Sequence, residues 1–317
     1  MDLKNSPIFL GGAGRSGTTL LRVILDSHPR IACGPEFRMT PTLAQLWEAY
    51  DQKEEVLENY GFDRQATNLM FQNLFLTLVG RYVSHSEKPR FAEKTPGNCR
   101  VFKQLSTIFS GSPLVQILRD GRDVVASLRS QNWIDVRTGK PMDVTVDTAK
   151  AVQHWKDSIL EGREVLANPT TRPRYYEIKY EDLIHSPGAQ LHRLFDFLEE
   201  PWDERVLDFH NMDRNLAGEA SSKQVNRPLY TSSVGRFRSV LTREDGQIMI
   251  EIAGELLSEL GYTADCSWID ELPREQKLAG RGSWVWYLSG ETRFSVPISS
   301  DPILLHRVLF AVHLPCS

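Results

Sequence analysis

Two short stretches carry the residue types and spacings from which anion chemistry can be built. The first is PIFLGGAGRSGTTLLRVILDSHP, residues 7–29. Its apolar run Ile8-Phe9-Leu10 suits a buried parallel strand, and Leu21, Ile24, Leu25 and His28 fall at helical spacing. Between them lie Gly11-Gly12-Ala13-Gly14-Arg15-Ser16-Gly17 and then Thr18-Thr19. A glycine turn joining a strand to a helix lets backbone approach an anion closely, and the helix start presents free N–H groups to it. The lysine of the usual nucleotide loop, Gly-Lys-Ser/Thr, is missing, and a cation comes earlier, at Arg15. That rearrangement argues against an ordinary ATPase or GTPase. The second stretch, LVQILRDGRDVVASLR at 114–129, repeats the plan. A buried strand leads into Arg119-Asp120-Gly121-Arg122, with Ser127 on the helix that follows.

Arg-Ser-Gly-Thr-Thr after a buried strand resembles the 5′-phosphosulfate loop of sulfotransferases, enzymes that use 3′-phosphoadenosine 5′-phosphosulfate (PAPS). In that family an arginine at a strand end and a serine eight residues later hold the 3′-phosphate. Arg119 and Ser127 have this spacing. The resemblance covers about residues 7–262 and is strongest to bacterial sulfotransferases related to the tyrosylprotein enzymes. It implies sulfuryl transfer from PAPS to a hydroxyl acceptor, a small molecule or a peptidyl tyrosine. Cofactor contacts are expected from Arg15, Ser16, Gly17, Thr18, Thr19, Arg119 and Ser127. No metal is expected.

Such transfer needs a base for the acceptor's proton and positive charge for the sulfuryl and phosphate oxygens. Cys33-Gly34-Pro35-Glu36-Phe37-Arg38 resembles the Cys-Gly-Glu-Glu-Thr-Arg of tyrosylprotein sulfotransferases, whose second glutamate is the base and falls on Glu36. The first glutamate is replaced by Pro35, and a surface glutamate in a loop is the alternative. Histidine is the base in other sulfotransferases. His28 is nearest in sequence, but its apolar helical face favours a packed core residue. Lys94, in Glu93-Lys94-Thr95-Pro96, stands where the tyrosylprotein enzymes have a lysine that contacts the reacting sulfate; a solvated lysine is the alternative. Arg15 completes the catalytic set. Tyr180, in Tyr-Glu-Asp-Leu, matches a tyrosine that lies against the adenine, and a core tyrosine would fit the same pattern. Cytosolic sulfotransferases close the 3′-phosphate with Arg-Lys-Gly shortly before Gly-x-Trp. Here Gly235-Arg236-Phe237-Arg238 matches the later part, but Tyr230-Thr231-Ser232 replaces the clamp. Ser222, Lys223, Arg227 and Arg236 remain to close that side, with Arg236 and Ser222 foremost.

These residues need a sheet to hold them. Strands are expected near 8–10, 91–95, 114–118 and 174–180, with a short extended piece at 31–38. Helices are expected at 101–109, over a long span 144–166, from Ser186-Pro187 to Leu198, and from Arg243 to Leu260 with Gly261 as its stop. Further helical periodicity at Leu43, Leu46, Trp47 and Tyr50, and from 64 to 83, could build a cap over the site, and 132–143 reads as an exposed loop. Alternating strands and helices point to an α/β, P-loop-like three-layer fold, a central parallel sheet flanked by helices. The expected domain is 1–265, with a C-terminal extension of unknown role at 266–317. A homodimer is compatible with this plan.

Composition agrees with an enzyme of the cytoplasm. With a net charge of −4, no global basic field favours nucleic acid, so any anion site must be built from a few local arginines. Cys33, Cys99, Cys266 and Cys316 are scattered without a CxxC pair, and read as reduced thiols. The first strand begins too early for a signal peptide, and no apolar run reaches the roughly 18 residues of a membrane span. The rival enzyme class is a P-loop kinase transferring phosphate from ATP to a small hydroxyl substrate. It would want a Walker lysine and a metal-binding aspartate after a later strand. Asp120 follows a strand, but Arg119 before it and Ser127 after it fit sulfuryl transfer better.

Overall fold

The structure is a computed structural model, described for residues 6–212, 225–263, 265–274, 284–289 and 292–297. The chain opens with β1 (Ile8–Gly11), α1 (Thr18–Ser27) and β2 (Ile31–Cys33). Three helices follow, α2 (Thr40–Asp51), α3 (Glu54–Glu58) and the long α4 (Arg64–Ser86). Then come β3 (Arg90–Lys94), α5 (Phe102–Ile108), β4 (Leu114–Leu118) and α6 (Gly121–Arg129). The order continues with α7 (Asp143–Val146), α8 (Thr148–Arg163), β5 (Tyr175–Lys179), α9 (Tyr180–His185) and α10 (Pro187–Phe197). After residues 213–224, α11 (Phe237–Val240) and α12 (Arg243–Glu259) follow.

The five strands form one parallel sheet in the order β2-β3-β1-β4-β5. Leu10 of β1 lies beside Lys94 on one side and Val115 on the other. Alternation along β1 splits its side chains between two faces. Ile8 and Leu10 pack with Leu21, Leu183 and Leu194, whereas Phe9 packs with Phe75, Phe102 and Phe109. Helices α1, α9 and α10 therefore cover one face, and α2, α4 and α5 the other. A third cluster joins Leu118 to Val124, Trp155, Phe237 and Leu257, seating α6, α8, α11 and α12 against the end of β4. In such a sheet the chain returns over its C-terminal edge, and ligands bind where successive connections diverge. Here that edge lies beyond Gly11, Lys94 and Leu118.

The expected single helix over 144–166 is instead α7 and α8, broken at Asp147. Asp147 is extended (φ −123°, ψ 119°), and its carboxylate accepts from the Lys150 N–H, capping α8. Gly162 lets α8 approach β4 so closely that an added Cβ would overlap the Gln116 side chain. The expected loop at 132–143 folds back on itself, with Ile134 bridging Pro141 in antiparallel fashion. Cys33, Cys99 and Cys266 are free, and Cys316 lies outside the described residues.

The chain divides into two compact units, Met1–Arg274 and Glu275–Ser317. Trp268 and Leu272, beyond the boundary drawn from sequence, are buried in the core of the first unit. In the second, β6 (Trp284–Ser289) and β7 (Thr292–Pro297) form an antiparallel pair. Among the described residues no helix is long and apolar enough to cross a membrane.

Candidate active site

The C-terminal end of every strand of the five-stranded sheet supplies a residue singled out from sequence. Glu36 follows β2, Lys94 ends β3, Arg15 follows β1, Arg119 follows β4, and Tyr180 follows β5. At the centre, the turn after β1 is shaped by glycine. Gly12 (φ +154°) and Gly17 (φ +99°) adopt backbone that other residues avoid, and a Cβ at Gly17 would lie 2.6 Å from the Tyr180 ring. Gly17 caps α1 without any side-chain hydrogen bond, so the first-turn N–H groups have no acceptor supplied by a cap. Ser16, Thr18 and Thr19 are buried around this turn.

On the β4 side the cations converge. Arg15 Nε donates to Ser127 Oγ at 3.1 Å. Arg119 Nη1 donates to the Arg15 carbonyl at 3.0 Å, and its Nη2 to the Ser233 carbonyl at 2.6 Å. The Arg119 guanidinium stacks 4.5 Å from the centre of the Tyr180 ring, whose hydroxyl meets Ser233 Oγ at 2.7 Å. Arg119 Nε is buried with no hydrogen-bond partner among the described residues. Arg15, Arg119, Ser127, Tyr180 and Arg236 line one polar cavity of about 170 Å³. Burial, then the charges of Arg119 and Arg236, lower Arg15 from its ordinary value. Guanidinium groups crowded in this way are relieved by an anion. A narrow crevice continues past Gly17, Leu20, Tyr180 and Phe209, and Arg227 joins its lining. Ser222 and Lys223 lie outside the described residues.

On the β2–β3 side the geometry is different. Lys94 is 1% exposed, which excludes a solvated lysine, and its Nζ donates to Glu36 Oε2 at 3.1 Å. Arg38 Nε donates to the other carboxylate oxygen at 3.1 Å. Arg38 has left-handed backbone (φ +63°), and its N–H donates to Thr95 Oγ at 2.9 Å. Thr95 in turn donates to Glu93 Oε1 at 2.8 Å, and Asn98 Nδ2 donates to Glu93 Oε2. Burial raises the Glu93 carboxyl, opposed by the hydrogen bonds from Asn98 and Thr95. Glu36 and Arg38 open onto a cavity of about 820 Å³, which also meets Thr19, Arg100, Trp133 and His154. His28 is elsewhere: fully buried, stacked on Phe195, with Nε2 bonded to the Pro201 carbonyl.

Several residues at these cavities had no signal in the sequence. Thr95 and Arg38 flank residues that were noticed, but only the folded turn shows them joined. His154 is a lone histidine on α8, brought by packing to the edge of Gly14, 3.8 Å from an added Cβ there. Burial and then the Arg100 charge push it down to about 4. Tyr230 and Ser233 also line the arginine-lined cavity, and Ser233 reaches Arg119 through its carbonyl and Tyr180 through its hydroxyl, contacts that no motif encodes.

A profile of the sulfotransferase family matches residues 7–204. The chain belongs to the sulfotransferase family. It is 28% identical over 271 residues to protein-tyrosine sulfotransferase A of Caenorhabditis elegans, covering 82% of this chain and 68% of that one. It is 29% identical over 265 residues to protein-tyrosine sulfotransferase 1 of Homo sapiens, covering 80% and 69%. For the Drosophila melanogaster protein-tyrosine sulfotransferase the match is 28% identical and spans 51% of that relative's length. Among solved structures, the sulfotransferase domain of the Synechococcus PCC 7002 olefin synthase superposes with a TM-score of 0.52 at 21% identity, covering 78% of this chain and 94% of that one. Mouse sulfotransferase SULT7A1 complexed with PAP gives 0.50 at 13% identity, covering 86% and 90%. These superpositions establish the shared fold. A sulfotransferase with the P-loop-like fold is thus in hand, and the kinase alternative is not favoured.

Proposed function

We propose that this sulfotransferase moves the sulfuryl group of PAPS to a hydroxyl acceptor, with Glu36 as the general base. The observation that carries the reading is the placing of Glu36 and the Arg15 turn on one cavity, with the arginine-lined cavity on the other side of Arg15. Arg119, Ser127 and Arg236 would hold the 3′-phosphate, and the buried Nε of Arg119, without a partner among the described residues, fits a further anionic acceptor. Ser16, Gly17, Thr18 and Thr19 would bind the 5′-phosphate through the turn and the α1 start. Tyr180 would bound the adenine.

Glu36 takes the proton from the acceptor hydroxyl as that oxygen forms its bond to sulfur. The bond from sulfur to the bridging phosphate oxygen breaks, and its electron pair stays on the 5′-phosphate. Arg15 and the turn amides stabilise that leaving charge. Lys94, held against Glu36, offers its positive charge to the sulfuryl oxygens. Trp133, Ile134 and Met142 give the larger cavity an apolar wall suited to a phenol, so a tyrosyl or other phenolic hydroxyl is the acceptor class proposed. No metal is assigned a role. The scattered cysteines support a reducing, cytoplasmic setting.

The test is incubation with PAPS labelled in the sulfuryl group, in EDTA, with nitrophenol, a tyrosyl peptide and a sugar as acceptors. Label should reach a hydroxyl acceptor. Phosphate transfer from ATP that requires Mg²⁺, with no transfer from PAPS, would contradict the proposal.

A further inference from the structure

Asp123 presents a puzzle in the arginine-lined cavity. It is a carboxylate on the wall of a space whose cations would attract a phosphate, and like charge there should repel one. Its hydrogen bonds resolve the conflict. Oδ2 accepts from the Gly235 N–H at 2.8 Å, and Oδ1 from the Phe237 N–H at 2.9 Å. Both oxygens are committed to backbone amides, and the side chain is 1% exposed. Asp123 lies in the first turn of α6, where the helix dipole stabilises a carboxylate.

The two amides flank Arg236. One carboxylate gripping residues two apart fixes the backbone between them, and with it the direction in which Arg236 leaves the chain. Gly235 supplies the left-handed backbone (φ +73°) that this turn requires. Phe237 locks the far side, 1% exposed, beneath the Arg122 guanidinium at 4.4 Å. Upstream, Ser233 is tied to Arg119 and Tyr180. The segment from 233 to 237 is therefore fastened at both ends to elements of the cofactor cavity.

Resting on the cofactor reading above, we infer that Asp123 is a positioning residue for the 3′-phosphate: it builds the pocket by holding the backbone on both sides of Arg236. The carboxylate takes the place of the absent Arg-Lys-Gly clamp as an organiser, while Arg236 supplies the charge. Asparagine would not substitute, because its amide presents one acceptor and one donor to two N–H groups.

The experiment is calorimetry of Asp123→Ala and Asp123→Asn with adenosine 3′,5′-bisphosphate and with adenosine 5′-phosphosulfate, which lacks the 3′-phosphate. The bisphosphate should weaken about tenfold to a hundredfold, the scale of a lost charge-assisted contact, while the phosphosulfate changes by no more than about twofold. Gly235→Ala distorts the same turn and leaves the carboxylate in place, and it should show the same split. Tighter binding of the bisphosphate would mean that Asp123 acts only as a repelling charge, and would overturn the inference. Equal loss of both ligands in the Asn and Gly235→Ala variants would reduce it to a folding role. Arg119→Ala separates the two levels. If that variant shows no split, the 3′-phosphate reading itself fails; if it shows one and the Asp123 variants do not, only this inference fails.

Discussion

The two cavities that meet at Arg15 share that residue and differ in what the rest of the chain brings to it. The arginine-lined one draws Arg119, Asp123 and Ser127 from a single strand-turn-helix unit and Arg15 from another, and is closed by Tyr180 after β5 and by Tyr230, Ser233 and Arg236 from a distant segment. The larger one sets the turn after β1, from Gly12 to Thr19, against Glu36 from the loop after β2, Arg100 from the turn after β3, Trp133 and Met142 from a folded loop, and His154 from α8. Within a strand-turn-helix unit, spacing along the chain is already spacing in space, so an anion site can be written in a short motif. A cavity assembled from separate elements has no such code. The shape of the larger cavity depends on how α8 and the 132–143 loop pack.

The sharpest way to break this contrast is Glu36→Gln. The change keeps size and some hydrogen bonding but removes the proton acceptor. Turnover should fall by about a hundredfold to ten-thousandfold. Affinity for adenosine 3′,5′-bisphosphate should remain, since Glu36 lines only the other cavity. Acceptors of lower pKa, such as nitrophenols, should recover part of the rate. Wild-type turnover in a folded variant would remove the assignment.

Arg119→Ala acts on the opposite cavity. It should weaken the bisphosphate by roughly 1.5–3 kcal/mol and spare adenosine 5′-phosphosulfate, as measured by calorimetry. Parallel losses would show that the two phosphates are not separately held.

A smaller effect is expected from Thr95→Val, which is isosteric but cuts the link from Glu93 to the Arg38 N–H. Loss of the bond from the Arg38 N–H alone is worth about 0.5–1.5 kcal/mol, so kcat should drop by at least roughly threefold to tenfold. Thr95→Ser should restore it, and bisphosphate affinity should not move. A valine variant with full kcat would mean that the Glu36 turn holds its shape without Thr95.

His154 sharpens the comparison through pH. Its value of about 4 in the folded chain lies below the ordinary 6.5, chiefly from burial. The unfolded chain takes up a proton between these values and the folded one does not. The stability tied to a neutral His154 is thus complete above about pH 6.5 and is lost as pH falls toward 4. Between pH 7 and 5, urea unfolding should show wild type losing roughly 2 kcal/mol more than His154→Gln. Identical slopes would remove His154 from the pH response.

The sheet and the anion loop were legible because apolar runs, glycines and arginines there each answer a local demand. Glu36 was reached through resemblance alone; nothing in its own spacing marked it against a surface glutamate, and only the Lys94 contact shows what holds it. Lys94 read ambiguously because burial of a cation depends on a partner 58 positions away. The break at Asp147 was missed because apolar periodicity runs through it, while the capping carboxylate that stops it is a single polar residue. Asp123 was passed over for a related reason: its partners are backbone amides 112 and 114 residues on, which leave no imprint on residue type except a glycine.

The reading proposed above requires this sulfotransferase to bind the 3′-phosphorylated adenosine of PAPS in the arginine-lined cavity. Calorimetry of the wild-type chain with adenosine 3′,5′-bisphosphate, and separately with ATP plus Mg²⁺, tests it most directly. The bisphosphate should bind saturably in EDTA, at least about tenfold tighter than ATP with Mg²⁺, which is the worth of one charge-assisted contact. Binding of ATP with Mg²⁺ that equals or exceeds that of the bisphosphate would contradict it.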